Sequence, residues 1–527
     1  MQEAPPLWTL AGTNPSAPAL VDARGSLSWL ELEAHTNQLA HGIESLGLVP
    51  GDHIVLSASN RREFIESLLA GMRAGMVVTP VKTGWRAEEL AYVLQDADTR
   101  LVITDGDVAR ETADGQAVPV LDLDQGVGTS SGKSIEQGFS QSFDQGFEDW
   151  LSGQDEAPLP HDRCGVRMSY TSGTTGRPKG VMRAMDVARP FAEAFAASSQ
   201  FARILEVPSF GPHLNVSALF HGAPLAFSLS LLAAGAPMHI LGRWDAELAL
   251  EALADGIHST CMVPTMFRQI LSLPEDVRAR FSAPALNCVL HGGEPCPQPL
   301  KHEMLAWWGP ILTEYYGMTE GGMTVANARE WLERPGTVGR STRGMSVEIR
   351  SPEGEKLSAG SAGVIYFRNP AGRTFRYRNE PEKTEDAYLD EGAFTVGDIG
   401  FLDDEGYLFI SGRKADLIVS GGVNIYPAEI EDLLHELPEI ADACVTSEPD
   451  EIRGESVVAC LVLAPAAAAE QTAAVARIEA ACEQRLAGYK RPRRFLLRTE
   501  VPRDGTGKLL RHQLRQEIWG DRSPFAR

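Results

Sequence analysis

The densest concentration of reactive groups in the 527-residue sequence is the run from Ser169 to Gly180, SYTSGTTGRPKG, in which Thr171, Ser172, Gly173, Thr174, Thr175 and Gly176 precede Lys179. In so small-sided a loop, backbone N–H groups and hydroxyls can all turn toward one anion. Glycine permits close approach, and the lysine adds a mobile positive charge, which together suit a polyphosphate. The spacing is not that of a Walker A loop, because Gly173 is followed five places on by Pro178, and Lys179 by Gly180 rather than by Ser or Thr. An ordinary kinase or ATPase reading therefore loses its main support.

Four further segments accompany this loop in order: Tyr315-Tyr316-Gly317-Met318-Thr319-Glu320, then Phe394-Thr395-Val396-Gly397-Asp398, then Gly412-Arg413-Lys414-Ala415-Asp416 with Gly421-Gly422-Val423-Asn424-Ile425-Tyr426-Pro427, and finally Pro502-Arg503-Asp504-Gly505-Thr506-Gly507-Lys508. The set resembles the adenylate-forming enzymes, which include acyl-CoA synthetases, luciferases and the adenylation domains of peptide synthetases. The resemblance implies ATP, Mg²⁺ and coenzyme A as co-substrates or cofactors and a small-molecule carboxylic acid as the group activated. It assigns Lys508 to the adenylation step, Glu320 to the metal, Thr319 to the phosphate, Tyr315, Tyr316, Gly317 and Met318 to the adenine segment, and Asp398 to the ribose. The Gly292-Gly293-Glu294 turn resembles the family's floor for the adenine ring. The chemistry is coherent with these residue types. A carboxylate attacking the α-phosphate of ATP is an anion approaching an anion, so cations must gather where charge accumulates. A carboxylate such as Asp398 can accept both ribose hydroxyls while Arg413 donates to the same sugar. Glu320 offers the hard oxygen that Mg²⁺ prefers.

The second half-reaction needs a thiol to reach the acyl-adenylate where the lysine had been. By resemblance the small domain turns about a hinge two residues after the arginine, which is Ala415 here, where many relatives carry Asp or Lys. In the thioester pose Ser420, Gly421 and Gly422 would leave a path with little side-chain bulk for the pantetheine arm. Lys490, Arg491, Arg493 and Arg494 form a basic cluster that could hold the nucleotide phosphates of CoA or be a solvated charge run. Relatives that take amino acids place an aspartate near Phe220-His221-Gly222-Ala223-Pro224, and none stands there. The segments resembling acyl-pocket walls, Phe220 to Ser230, Val263 to Phe267 and His291 to Gly293, mix small and aliphatic residues and suit an apolar, medium- or long-chain or bulky acid. His221 stands either near the substrate carboxylate or as a satisfied buried histidine. An acceptor other than CoA, such as a carrier protein, is the alternative. A nucleotide-binding regulator without turnover is disfavoured by Lys508 and Glu320.

These groups need a scaffold. Leu27 to Leu46, Phe64 to Ala74 and Ala87 to Gln95 put apolar residues at helical spacing, each followed by a short apolar strand, which argues for layered α/β sheets. Past residue 340 the texture turns to short strands and Gly-rich turns, and after Gly412 comes enough for a small separate α+β domain. The expected fold class is α/β and α+β: a large N-terminal domain, residues 1–412, of layered β-sheets with helices and a β-rich subdomain over about 340–412; a hinge at 413–416; and a small mobile C-terminal α+β domain, 417–527. Between Gly126 and Ala157 the composition shifts to Gly, Ser, Gln and acidic residues, read as a solvated connection, with a lipid-seeking or partner-binding use of Phe139, Phe143, Phe147 and Trp150 as the sharper alternative.

Composition excludes other classes. With 48 Lys plus Arg against 71 Asp plus Glu, a formal charge of −23, the average surface repels phosphate backbones, so nucleic acid is not an expected partner. The seven cysteines are scattered without C-x-x-C spacing, and the N-terminus lacks the basic and apolar regions of a signal, so a cytoplasmic location is expected. Val207 to Gly242 lacks charged residues but is broken by four prolines and reads as buried core rather than as a transmembrane segment. A homodimer is compatible with the sequence.

Overall fold

The computed structural model describes residues 7–128, 146–161, 163–171, 178–183, 189–342, 344–503 and 509–520. The expected helix–strand alternation builds the first layer. The helix Trp29–Ser45 starts where the Ser28 hydroxyl accepts the Glu31 N–H at 3.3 Å and the Glu31 carboxylate accepts the Ser28 N–H at 2.7 Å, a reciprocal cap that satisfies two otherwise orphaned donors. The strands His53–Ser57 and Val77–Pro80 are buried along their whole length, as parallel strands covered on both faces must be. With Thr99–Thr104, Val120–Asp122, Gly126–Gly128 and Val166–Arg167 they make a six-stranded sheet, parallel except for its last hairpin.

A second, larger sheet carries the candidate site. Its parallel part runs Pro18–Asp22, Met238–Ile240, His213–Asn215, Ser259–Met262, Cys288–Gly292, Leu312–Met318. It continues antiparallel through Gly321–Asn327, Thr337–Ser341, Leu408–Arg413, Asp398–Leu402, Gly363–Arg368 and Ser346–Arg350. The switch from parallel to antiparallel falls at Thr319-Glu320, beyond the carboxyl ends of the parallel strands, where open α/β sheets form ligand clefts. A three-stranded antiparallel sheet, Ser169–Thr171, Lys179–Arg183 and Phe375–Tyr377, stands apart from both.

After Asp416 the chain forms a five-stranded sheet of Ile418–Ser420, Val423–Ile425, Ile440–Asp450, Gly454–Leu463 and Arg494–Leu497, covered by the helices Pro427–His435 and Gln471–Arg485 around a core of its own. The fold class is the one expected: layered sheets with helices, a β-rich extension and a small α+β unit. Between them Lys414 to Asp416 make a single tight turn, and the Lys414 N–H donates to the Gly397 carbonyl at 2.8 Å.

One expectation fails. Phe147 and Trp150 are not offered to lipid or a partner: they sit on the short helix Phe147–Ser152, Phe147 is 3% exposed, and the Trp150 ring lies so close over Gly42 that a Cβ there would collide with it. Burying those rings against the helix Trp29–Ser45 removes more apolar surface from water than a solvated connection would. Phe139 and Phe143 lie outside the described residues. Val207 to Gly242 is interior core as expected, and among the described residues no helix is long and apolar enough to cross a membrane.

Candidate active site

The Gly-rich run leaves and re-enters the three-stranded sheet, with Thr171 paired opposite Lys179 and Val181 opposite Tyr377. Ser172, Gly173, Thr174, Thr175 and Gly176 lie outside the described residues, as does Lys508. What the structure brings together begins with Thr319 and Glu320, the turn between Leu312–Met318 and Gly321–Asn327. The Arg183 guanidinium donates Nε–H and Nη2–H to the Thr319 carbonyl at 3.2 and 2.8 Å. Glu320 is 7% exposed, and its Oε1 accepts the Tyr377 hydroxyl at 2.7 Å. The Lys179 ammonium lies 5.1 Å from the centre of the same Tyr377 ring.

Asp398 forms the second focus. It is buried, its Oδ2 accepts the Tyr316 hydroxyl at 2.5 Å, and its Oδ1 accepts the Arg413 Nε–H at 2.9 Å. Burial, and then the Asp398 charge, push the Tyr316 phenol well above its usual pKa, so it donates throughout the neutral range. Burial opposes the Arg413 charge, but the carboxylates of Asp398 and Asp416 outweigh it and raise its pKa. Both carboxylate oxygens are thus held in place by protein donors, and each keeps a further lone pair. Gly317 and Met318 follow Tyr316 along the same strand, Gly317 opposite Met323.

Gly292 closes the strand Cys288–Gly292 against the Tyr315 backbone and ring, where no Cβ would fit, and Gly293 then takes φ +82°, a left-handed turn that favours glycine. Glu294 is engaged in the structure by protein donors: the Thr265 N–H at 2.5 Å and Arg503 Nη1 at 3.1 Å. Burial, working against these donors, raises its pKa. Arg503 also reaches Asp442 of the small unit at 2.9 Å, so it joins the two units five residues before Lys508 in sequence. Ser420, Gly421 and Gly422 lie on the small unit's own sheet, the two glycines in left-handed turns at φ +58° and +80°. Beside them is a hollow of about 210 Å³ lined by Arg453, Arg491, Arg493 and Tyr489. The basic cluster divides accordingly. Lys490 pairs with Glu429 and Arg494 with Glu448, Arg491 donates to the Leu486 and Glu483 carbonyls, and Arg493 lines the hollow.

Of the expected acid-pocket walls, Ala223, Ala226 and Phe227 of the helix Gly222–Ala233 pack on the sheet face of Cys261, Leu290 and Tyr315, where Phe227 and Leu290 are fully buried. His291 and Phe267 do not join it: strand alternation turns His291 to the other face, where its ring meets Phe267 at 5.3 Å. His221 precedes the helix Gly222–Ala233, its ring 4.1 Å from that of Phe220. Arg167 donates weakly to the Gly222 carbonyl at 3.5 Å and meets no carboxylate among the described residues.

The residues fit a magnesium ion carried in by a nucleotide. Among the described residues no cluster of three His, Cys, Asp or Glu could hold a metal alone, whereas Glu320 leaves Oε2 without a hydrogen bond from them. One carboxylate oxygen completed by phosphate oxygens and water is the donor set Mg²⁺ favours. Sequence reasoning did not single out Tyr377, Arg183 or Arg167. Tyr377 and Arg183 are placed by a pairing between strands nearly 200 positions apart, Val181 with Tyr377, and Arg167 by its pairing with Val78, and no local pattern carries either.

Residues 7–375 match the family described as AMP-binding enzyme, and residues 429–508 match the AMP-binding enzyme C-terminal domain. A fatty acid–[acyl-carrier-protein] ligase of Streptomyces coeruleorubidus is 30% identical over 538 residues, 98% of each chain. A long-chain-fatty-acid–CoA ligase of Mycobacterium tuberculosis is 29% identical over 500 residues, 93% of each. Among solved structures, the o-succinylbenzoate CoA synthetase of Bacillus subtilis with its acyl-adenylate intermediate is 25% identical with a TM-score of 0.79, covering 98% of both chains. ATP-bound MatB of Rhodopseudomonas palustris is 26% identical with a TM-score of 0.81, covering 99% of this chain and 100% of that one. With the ordered motifs and the match over both units, the chain belongs to the AMP-binding enzyme family, the adenylate-forming acyl ligases.

Proposed function

We propose that the protein is an AMP-forming acyl-CoA synthetase acting on an apolar acid. The observation that carries the reading is Asp398, a buried carboxylate held between Tyr316 and Arg413, with Glu320 two residues beyond the strand that bears Tyr316. In this reading Asp398 accepts the ribose hydroxyls and Arg413 steadies it. Thr319 lies at the α-phosphate, and Glu320 would hold Mg²⁺, which supplies charge neutralisation to the phosphates when bound. A carboxylate oxygen of the acid attacks the α-phosphorus, the bond to the β-phosphate breaks, and diphosphate leaves; Lys508 offsets the charge that accumulates there. Residues 413–416 then act as the hinge between a large domain, 1–412, and a small one, 417–527. The CoA sulfur attacks the acyl carbonyl, its proton passes to solvent, and AMP departs.

The choice of CoA over a carrier protein rests on the arginine-lined hollow beside Gly421, whose charge and size suit the nucleotide phosphates of CoA. A relative's use of a carrier protein makes that acceptor the second reading of this step. The absence of any charged side chain from Phe220 to Ser230 favours a fatty or bulky acid, while Arg167 near Gly222 favours an acid with an additional polar group, as in relatives that take 2-succinylbenzoate. The test is a panel of monocarboxylic and dicarboxylic acids with ATP and Mg²⁺, offered either CoA or a phosphopantetheinylated carrier. Arg493→Ala should raise the KM for CoA and leave acid-dependent ATP–diphosphate exchange unchanged. Faster turnover with the carrier, untouched by Arg493→Ala, would overturn the choice of CoA.

A further inference from the structure

Among the described residues Glu320 is gripped at one oxygen only, and the group that grips it is neutral. Tyr377 donates its hydroxyl to Oε1 at 2.7 Å, and the Lys179 ammonium sits 5.1 Å from the centre of the same ring. A single side chain therefore touches the last cation of the Gly-rich run and the acid expected at the metal. Its placement follows from short-range rules. The Tyr377 N–H donates to Thr384 Oγ1 at 3.0 Å, and that hydroxyl donates to the Glu380 carbonyl at 2.9 Å, so the run Tyr377 to Thr384 fixes the end of the strand. Pairing with Val181 puts Tyr377 diagonally across from Lys179 on the same face. The ring is 8% exposed and packs edge-on to Phe375 at 5.4 Å.

The choice of a phenol matters. A lysine or arginine partner would neutralise Glu320, whereas a phenolic O–H fixes the carboxylate plane and leaves its full charge for a cation. We propose that Tyr377 is a positioning residue that couples the phosphate loop to the metal: its hydroxyl orients Glu320 so that Oε2 faces the nucleotide's divalent cation, and its ring face steadies the Lys179 ammonium beside the phosphates. This deepens the adenylation reading above and rests on it.

The experiment compares the wild type with Tyr377→Phe, Tyr377→Leu, Glu320→Gln and the double variant Tyr377→Phe/Glu320→Gln. ATP binding is measured by calorimetry without acid, once with Mg²⁺ and once with EDTA, so no turnover is needed. Phe keeps the ring and its packing. Tyr377→Phe should therefore leave ATP affinity in EDTA unchanged and reduce the gain conferred by Mg²⁺ about tenfold, the scale of one hydrogen bond to a charged group. Tyr377→Leu should weaken binding in EDTA as well, because the ring under Lys179 is gone. The double variant should lose no more of the Mg²⁺ gain than Glu320→Gln alone. Equal weakening by Tyr377→Phe with and without Mg²⁺, or additive losses in the double variant, would overturn the proposal while sparing the reading of Glu320. An intact Mg²⁺ gain in Glu320→Gln would overturn both.

Discussion

Glu294→Gln should slow acid activation and spare thioester formation. Arg503 spends three hydrogen bonds on Asp442 of its own unit, at 2.9, 2.9 and 3.1 Å, and one on Glu294 of the large unit at 3.1 Å. The Glu294 side chain is 3% exposed and that of Arg503 18%, so the contact is shielded from solvent. Glutamine keeps an acceptor for the Thr265 N–H but removes the charge that Arg503 meets. A hydrogen bond to a charged group contributes about 1.5–3 kcal/mol, and the burial that raises the Glu294 pKa returns part of that when the charge is deleted. A net loss of about 1.4 kcal/mol is tenfold in population. In the proposed cycle both poses are visited at every turnover, so neither can be favoured by more than a few kcal/mol and the shift must appear in the rate. Rapid-quench measurement of the two half-reactions decides the matter. Acyl-adenylate formation from acid and ATP should fall about tenfold, while acyl-CoA formation from supplied acyl-adenylate should stay within about twofold. Equal loss in both, or no loss in either, would refute the role of this contact.

Three further outcomes follow from buried charge. Asp398→Asn leaves an acceptor for Arg413 Nε but deletes the charge it meets and sets an amide N–H₂ against the Tyr316 hydroxyl, and should raise the KM for ATP at least about tenfold, read from ATP-dependent AMP release. His53 accepts from Arg378 Nη1 at 3.1 Å, and burial, then the Arg378 charge, lower its pKa to about 4. The unfolded chain, at the reference 6.5, binds a proton that the folded one refuses, so stability is full above pH 6.5 and falls toward pH 4; urea midpoints across that window should decline, less steeply in His53→Gln. Lys301, fully buried, pairs with Glu314 at 2.6 Å and lies 4.5 Å from the Trp331 ring centre. Lys301→Met strands Glu314 and should cost about 3–5 kcal/mol in denaturant unfolding.

The family and the layered fold are legible in the sequence because both depend on local signals. Helical spacing in Trp29–Ser45 and Arg62–Arg73 survives folding, and so do the apolar strands His53–Ser57 and Val77–Pro80. Boundaries shift where tertiary pairing overrides local pattern: the run Val166 to Thr171 splits so that Val166–Arg167 joins the six-stranded sheet and Ser169–Thr171 the three-stranded one. The motif residues Tyr316, Asp398 and Arg413 converge as their types suggest, but which atom each holds is set by the pairing of Asp398 with Arg413 across two strands. Tyr377 and Arg183 were invisible because their meaning lies in what a distant strand places beside them. His291 was misplaced for a simpler reason: on a strand, the neighbour of a pocket glycine faces the other way.

Transfer of a heavy oxygen isotope tests the central claim most directly. The enzyme is given ATP, Mg²⁺, CoA and an acid labelled in both carboxylate oxygens, and the products are weighed by mass spectrometry. Attack of the carboxylate on the α-phosphorus predicts one labelled oxygen in AMP, one in the acyl-CoA and none in diphosphate. Label in diphosphate or inorganic phosphate, or ADP in place of AMP, would contradict it.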